Sequence, residues 1–223
     1  AAIAVDAMKG IDPKDMTSWD SSDIELYKNL NKDVKGKKLF YIKEIVDLAN
    51  YENPSEELKS HMENFNKTII ELSRKIDVEI DEQMCKQFYQ YMKLLLEWNE
   101  KINLTAITEE NEVILKHFID SLTINKIIDI YSQNICDLGS GAGFPGLVLA
   151  ICFPKTKITL IESNGKKCYF LNLVKEKLKL NNVIVINERS EDYAQKNREK
   201  FDIVTARAVA PLKHLLEYGI TIL

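Results

Sequence analysis

Cysteine is scarce and scattered. The four cysteines (Cys85, Cys136, Cys152, Cys168) form no Cys-x-x-Cys pair, which excludes ordinary zinc spacing and makes a disulfide framework unexpected in a chain of 223 residues. Buried small hydrophobes in a reducing cytoplasm are the expectation. Long apolar runs are missing as well. None approaches the roughly 18 residues that a membrane helix needs, and AAIAVDAMKGIDPKD has no basic leader before an apolar core, so neither a membrane span nor a secretory signal is expected. Positive charge is not in excess. A net charge of −4 excludes a chain that coats nucleic acid indiscriminately, but not a local basic face. Glycine is sparse, and its placement is uneven: of eight in the chain, Gly139, Gly141, Gly143 and Gly146 fall within eight positions. What remains, 45% apolar and 29% charged residues, is the composition of an ordinary globular protein.

Three zones differ in style. Residues 1–61 are mixed: SSDIELYKNL and KKLFYIKEIVDLA have helical character, and NPSEELKSH is turn-like and then polar. From Met62 to about Tyr131 the period is helical, in FNKTIIELSRKI and then in DEQMCKQFYQYMKLLLEWNEKI, where Met84, Phe88, Tyr91, Leu95 and Trp98 recur at three or four. TEENEVILKHFIDSLTINKII follows, with a threonine and glutamate placed as at a helix start. His117 in that run is expected to be packed or on the surface rather than a ligand or base.

From Asn134 the style changes again. NICDL, KITLIES, NVIVINE and KFDIVTARAV read as strands, with GLVLAICF and GKKCYFLNLVKEKLKL as helices between them and a polar link before the fourth. Strands alternating with helices of this length predict an α/β fold with a parallel sheet. In such a sheet ligands sit outside the carboxyl ends of the strands. Asp137 to Gly143, Glu162 and Ser163, Ser190 and Glu191, and Arg207 occupy those ends. They are therefore expected to converge on one crevice.

The loop after the first strand limits what that crevice holds. A dinucleotide fingerprint, G-x-G-x-x-G, fits directly after the strand only if Phe144 stands where the third glycine belongs. GAGFPG at 141–146 matches two residues late, a weak signal. D-L-G-S-G-A-G fits without insertion. It resembles the first motif of Rossmann-like S-adenosylmethionine-dependent methyltransferases, which implies roles in cofactor binding for Asp137 and Gly141. Glu162 ends the second strand, where an acid can accept from ribose hydroxyls in that class and in NAD enzymes alike.

EWNEKINLTAIT, ILKHFIDSL, DLGSGAGFPGLVLAI, RSED and TARAVAPL occur in that order. Together they resemble the glucose-inhibited division protein B family, bacterial methyltransferases of a guanine N7 in 16S small-subunit ribosomal RNA, over about Met62 to Leu223. The resemblance implies a Rossmann-like methyltransferase sheet preceded by a helical part over 62–133, with S-adenosyl-L-methionine bound by 134–223. It implies cofactor contacts at Gly139, Phe144, Ser190, Glu191 and Arg207, with Glu191 at the adenine amino group and Gly139 under the methionine end. Residues 1–61 lie outside it, as an extension of unknown role. A full sheet of the class would continue for three strands past GITIL, so a C-terminally truncated sheet is expected, and an inactive cofactor- or RNA-binding remnant is the main alternative. A nicotinamide oxidoreductase is a weaker one.

Guanine N7 carries an in-plane lone pair and needs no general base, and none is evident. No catalytic residue is assigned beyond a positioning role for Arg207, toward cofactor or phosphate. Lys166 and Lys167, in a lysine-rich helix, are expected on the RNA face and at phosphates rather than bases. Neither a metal nor a membrane is expected as a partner.

Overall fold

The sheet is built on two central strands too apolar to leave either face in water. In the computed structural model, which describes residues 56–208 and 212–223, β1 (Asn134–Leu138), β2 (Lys157–Glu162), β3 (Val183–Asn187) and β4 (Ile203–Ala206) form one sheet in the order β3-β2-β1-β4. All pairings are parallel, with Asp137 opposite Leu160 and Thr205. In β2 the five residues after Lys157 are all buried, as expected of a strand covered on both sides. The helices predicted at SSDIELYKNL and KKLFYIKEIVDLA lie outside the described residues.

Period-two alternation sorts the two faces. Cys136, Leu138 and Ile161 face one way and pack with Tyr193 and Ala194 of α7 (Ser190–Lys196) and Ile222 of α8 (Leu212–Ile222). On the other side, Asp137 and Leu160 meet α5 (Gly146–Cys152) so closely that a Cβ at Gly146 would stand 2.3 Å from Leu160 Cδ2. Next along the chain is α6 (Gly165–Lys177). The link before β4, expected to be only polar, is thus partly helical, as α7.

Ahead of the sheet, α1 (Glu56–Arg74) starts in the stretch read as turn-like and polar and runs unbroken through Met62. Then comes α2 (Glu82–Ile102). Its cap at Asp81 accepts a hydrogen bond from the Met84 N–H at 2.7 Å, and it stops at Asn103 in the left-handed region (φ 49°). Asparagine tolerates that conformation better than most residues. The next helical stretch is composite: α3 (Glu110–Val113), a π-helical segment (Ile114–Ile119), α4 (Asp120–Leu122) and a 3₁₀ turn (Thr123–Lys126). It begins at Glu109 without a side-chain cap, so the expected threonine cap is not formed. The four cysteines are free and buried, and burial pushes their thiols up.

Candidate active site

The sheet order reverses between β1 and its two neighbours, and the glycine loop leaves β1 at that point. Gly139, Gly141 and Gly143 all adopt positive φ, at 64°, 58° and 97°, a region costly for residues with a Cβ. The loop is tied down from three directions. Ser140 N–H donates to Ile161 O at 3.0 Å, Gly141 N–H donates to Glu162 Oε2 at 2.8 Å, and Tyr91 Oη donates to Ala142 O at 2.6 Å. Phe144 precedes a cis-Pro145 and lies against His117, with ring centroids 4.4 Å apart and planes 15° from parallel. On Tyr91 it stacks at 5.5 Å.

A cleft of about 380 Å³ opens over this loop. Its floor is Gly139 to Ala142 and Phe144, Glu162, Ser163 and Lys167 bound it on the β2–α6 side, and Arg207 and Ala208 come from the end of β4. Leu104, Thr105 and His117 close the remaining side. Gly139, Gly141, Phe144, Glu162, Lys167 and Arg207, picked from sequence, therefore meet at one place. Asp137 does not line it. Fully buried beneath the loop, Asp137 accepts from Thr205 Oγ1 at 2.9 Å and from Gly146 N–H at 3.2 Å, which fixes β1 to β4 and to the start of α5. Burial, opposed by those hydrogen bonds, pushes its carboxyl up to about 6. Ser190 and Glu191 open α7 beyond β3 and lie outside the cleft lining, as does the exposed Lys166.

Glu162 is buried, with Oε1 accepting from Asn164 N–H and Oε2 from Gly141 N–H, both at 2.8 Å. Each oxygen keeps acceptor capacity for a further donor. Arg207 bridges two walls: Nη2 donates to Lys116 O at 2.7 Å and lies 3.3 Å from His117 Nδ1, while Nη1 is 3.4 Å from Asp120 Oδ2. A second hollow of about 440 Å³, lined by Leu115, Lys116, Ile119, Asp120 and Thr123, shares Arg207 with the cleft.

Leu104, Thr105, His117 and Ala208 line the cleft without having been expected there, although His117 is packed, against Phe144, as expected. Burial, followed by the charge of Arg207, lowers His117 to about 4, so it is neutral at pH 7. Thr105 is placed by Asn99, whose Oδ1 accepts from the N–H groups of Leu104 and Thr105 at 2.6 and 2.8 Å. A signal existed for the burial of His117, though not for its place in the cleft, and none for Thr105. His117 sits three or four residues from the apolar Ile114 and from Ser121, on a face turned inward, and a buried imidazole requires partners. Among the described residues no cluster of His, Cys, Asp or Glu is suited to hold a metal. No described helix is long and apolar enough to cross a membrane.

An open parallel sheet with a glycine loop at its switch point, an acid closing the neighbouring strand and a cleft between them define a Rossmann-like nucleotide-cofactor domain. A family model described as rRNA small subunit methyltransferase G matches residues 84–223. A protein of Desulforamulus reducens named ribosomal RNA small subunit methyltransferase G is 47% identical over 160 residues, covering 70% of this chain and 67% of that one. One of the same name from Lactococcus lactis is 49% identical over 151 residues, covering 66% and 63%. The O-methyltransferase of Bacillus cereus, solved in complex with SAH, overlaps loosely, at a TM-score of 0.42 and 20% identity over 53% of this chain and 54% of that one. The chain belongs to the rRNA small subunit methyltransferase G family, as its five ordered motifs led one to expect. It spans 67% or less of the length of these curated relatives.

Proposed function

We propose that the protein transfers a methyl group from S-adenosyl-L-methionine to N7 of a guanine in 16S ribosomal RNA of the small subunit. The observation that carries this reading is the meeting of Gly139, Gly141, Phe144, Glu162 and Arg207 around one cleft at the switch point, in a chain of this family. The residues fit the cofactor. A cleft of about 380 Å³ is of small-ligand size, a loop of positive-φ glycines permits close backbone approach, and a buried carboxylate at the end of β2 offers acceptors for ribose hydroxyls. Glu162 would hold the ribose, Gly139 and Gly141 the methionine side, and Ser190 and Glu191, at the start of α7, the adenine end.

When bound, S-adenosylmethionine supplies a methyl group on an electrophilic sulfonium. Guanine N7 would accept that methyl through its in-plane lone pair, the S–CH3 electron pair staying with sulfur, and would lose no proton, so the cleft needs no base. His117 suits that demand. Its Nδ1 faces a guanidinium and its Nε2 contacts Thr105 at 2.8 Å, so it is oriented as a fixed dipole rather than poised as a proton acceptor. Alignment then supplies most of the rate, up to roughly 7–11 kcal/mol where reacting atoms are held in line. Arg207 spans the cleft and the neighbouring hollow and positions cofactor or phosphate, while Lys166 and Lys167 meet RNA phosphates.

The test is transfer of labelled methyl from S-adenosylmethionine to 16S RNA and to assembled small subunits, with the product base mapped, alongside titrations with S-adenosylhomocysteine and NADH. Incorporation at a guanine N7 with S-adenosylhomocysteine bound and NADH not bound is expected. Binding of RNA and cofactor without incorporation would replace the enzyme with a binding remnant.

A further inference from the structure

We propose that Thr105 is a hydrogen-bond donor locked in direction, which reads O6 of the target guanine and rejects adenine. The inference rests on the N7-guanine reading above. Three contacts set it up. Arg207 Nη2 lies 3.3 Å from His117 Nδ1, a guanidinium has no acceptor, and the nearby Lys116 O already accepts from Arg207 Nη2 at 2.7 Å, so we assign Nδ1 as the unprotonated nitrogen. The single proton of the neutral ring is then on Nε2. Nε2 is 2.8 Å from Thr105 Oγ1, so Nε2–H donates and the hydroxyl oxygen accepts. The same oxygen accepts again from Ile107 N–H at 3.0 Å.

A threonine hydroxyl has two lone pairs and one hydrogen. Both lone pairs are taken, and neither neighbour accepts from it. Thr105 lines the cleft, and a ligand that meets its hydroxyl there meets the hydrogen alone, since the group cannot rotate to accept without breaking a bond to His117 or Ile107. Guanine shows two acceptors, N7 and O6, along its major-groove edge, whereas adenine shows the N7 acceptor beside an amino donor. A donor-only hydroxyl matches O6 and opposes the adenine amino group. It also leaves the N7 lone pair free to react. Arg207 therefore acts on specificity at one remove: its guanidinium sets the tautomer of His117, and the tautomer sets the direction of Thr105.

The methylated guanine is mapped first, and the full chain is then assayed on RNA carrying guanine, inosine, 2-aminopurine or adenine at that position. Inosine keeps O6 and N7, and 2-aminopurine keeps N7 without O6. For the unaltered protein, guanine and inosine are expected to react alike, and 2-aminopurine and adenine on the order of tenfold or more less efficiently in kcat/KM. Thr105→Val and Thr105→Ala should bring guanine and inosine down to the 2-aminopurine level, so that the ratio between the bases closes, with S-adenosylhomocysteine affinity measured in parallel. Thr105→Ser should restore the difference. His117→Phe returns a lone pair to the hydroxyl and should raise adenine relative to guanine. Equal losses on all four bases, or an unaltered protein that ignores O6, overturns the inference while the methyltransferase reading stands. No transfer by the unaltered protein to the guanine RNA overturns both.

Discussion

Glu162 holds the loop and, in the proposed complex, the ribose, and a single substitution strikes both. Its two oxygens hold Gly141 N–H and Asn164 N–H, and in the proposed complex they also accept from the ribose. In Glu162→Gln only one oxygen remains and the other position becomes a donor. One backbone N–H then faces an amide nitrogen, and the charge behind the ribose contact is lost. Hydrogen bonds to charged groups are worth about 1.5–3 kcal/mol, so affinity for S-adenosylhomocysteine measured by calorimetry should fall by at least about tenfold. Unchanged affinity would remove Glu162 from the ribose site. His117 and Asp137 make a second, opposed pair. The unfolded imidazole takes up a proton near 6.5 and the folded one, buried beside Arg207, only near 4. Between those values the unfolded state holds more protons, so the contribution of His117 is lost as the pH falls through the window. Asp137 titrates near 3.8 when unfolded and, through burial, near 6 when folded. Its contribution therefore grows as the pH falls from about 6 to 4. His117→Gln keeps only the second slope. Relative to the unaltered protein, its melting temperature should rise as the pH is lowered from 6.5 to 4, and parallel profiles for the two proteins would contradict the assignment.

Elements whose burial pattern is one-dimensional could be read from sequence, and those fixed by neighbours could not. NICDL and KITLIE are covered on both faces, so their continuous apolar runs name them as strands. The residues of α7, SEDYAQK, bury only Tyr193 and Ala194, too little periodicity to separate a short helix from a polar link. ILKHFI has the period of an α-helix, yet Asp120 N–H reaches back to Leu115 O, one residue further than an α-helix allows. That choice follows from packing His117 on Phe144 and Phe118 near Tyr91, which no local window contains. The candidate site divides in the same way. Glycines and strand-end acids announce themselves by spacing, whereas Thr105 and His117 enter the cleft from segments that only tertiary contacts bring there. The coupling of α2 to the glycine loop is likewise tertiary, and it rests on Tyr91, whose buried hydroxyl donates to Ala142 O. Tyr91→Phe keeps both ring stacks and strips the carbonyl of its partner. A buried acceptor left unpaired costs about 1–3 kcal/mol, so denaturant unfolding should show a loss of that size, with weaker S-adenosylhomocysteine binding because the loop loses a tether. A loss in stability without any change in binding would confine Tyr91 to the core.

At the scale of the whole molecule, the proposed substrate is a polyanion and the chain has a net charge of −4, so on that proposal a productive encounter depends on where its cations stand rather than on their number. The cations of α6 lie at both ends of the helix. Lys175 and Lys177 occupy its last turn, where the helix dipole favours them, whereas Lys166 and Lys167 sit in the first turn, where it disfavours a cation by about 0.3–1 kcal/mol. Helix stability therefore gives no reason for lysines at those two positions. Their location does: Lys167 borders the cleft and Lys166, next to it in the chain, is exposed, at the carboxyl edge of the sheet where the proposed reaction would bring the RNA. If both neutralise phosphates, each releases counterions on binding, and log K falls against log salt by about 0.7–0.9 per contact. The double reversal Lys166→Glu, Lys167→Glu should then weaken RNA binding at low salt and flatten that slope by about 1.4–1.8. A salt series by filter binding reads both quantities, with S-adenosylhomocysteine affinity measured in parallel because Lys167 also touches the cleft. A slope that stays put, with only the cofactor affinity altered, would assign the pair to the cofactor side and move the RNA face elsewhere on the molecule.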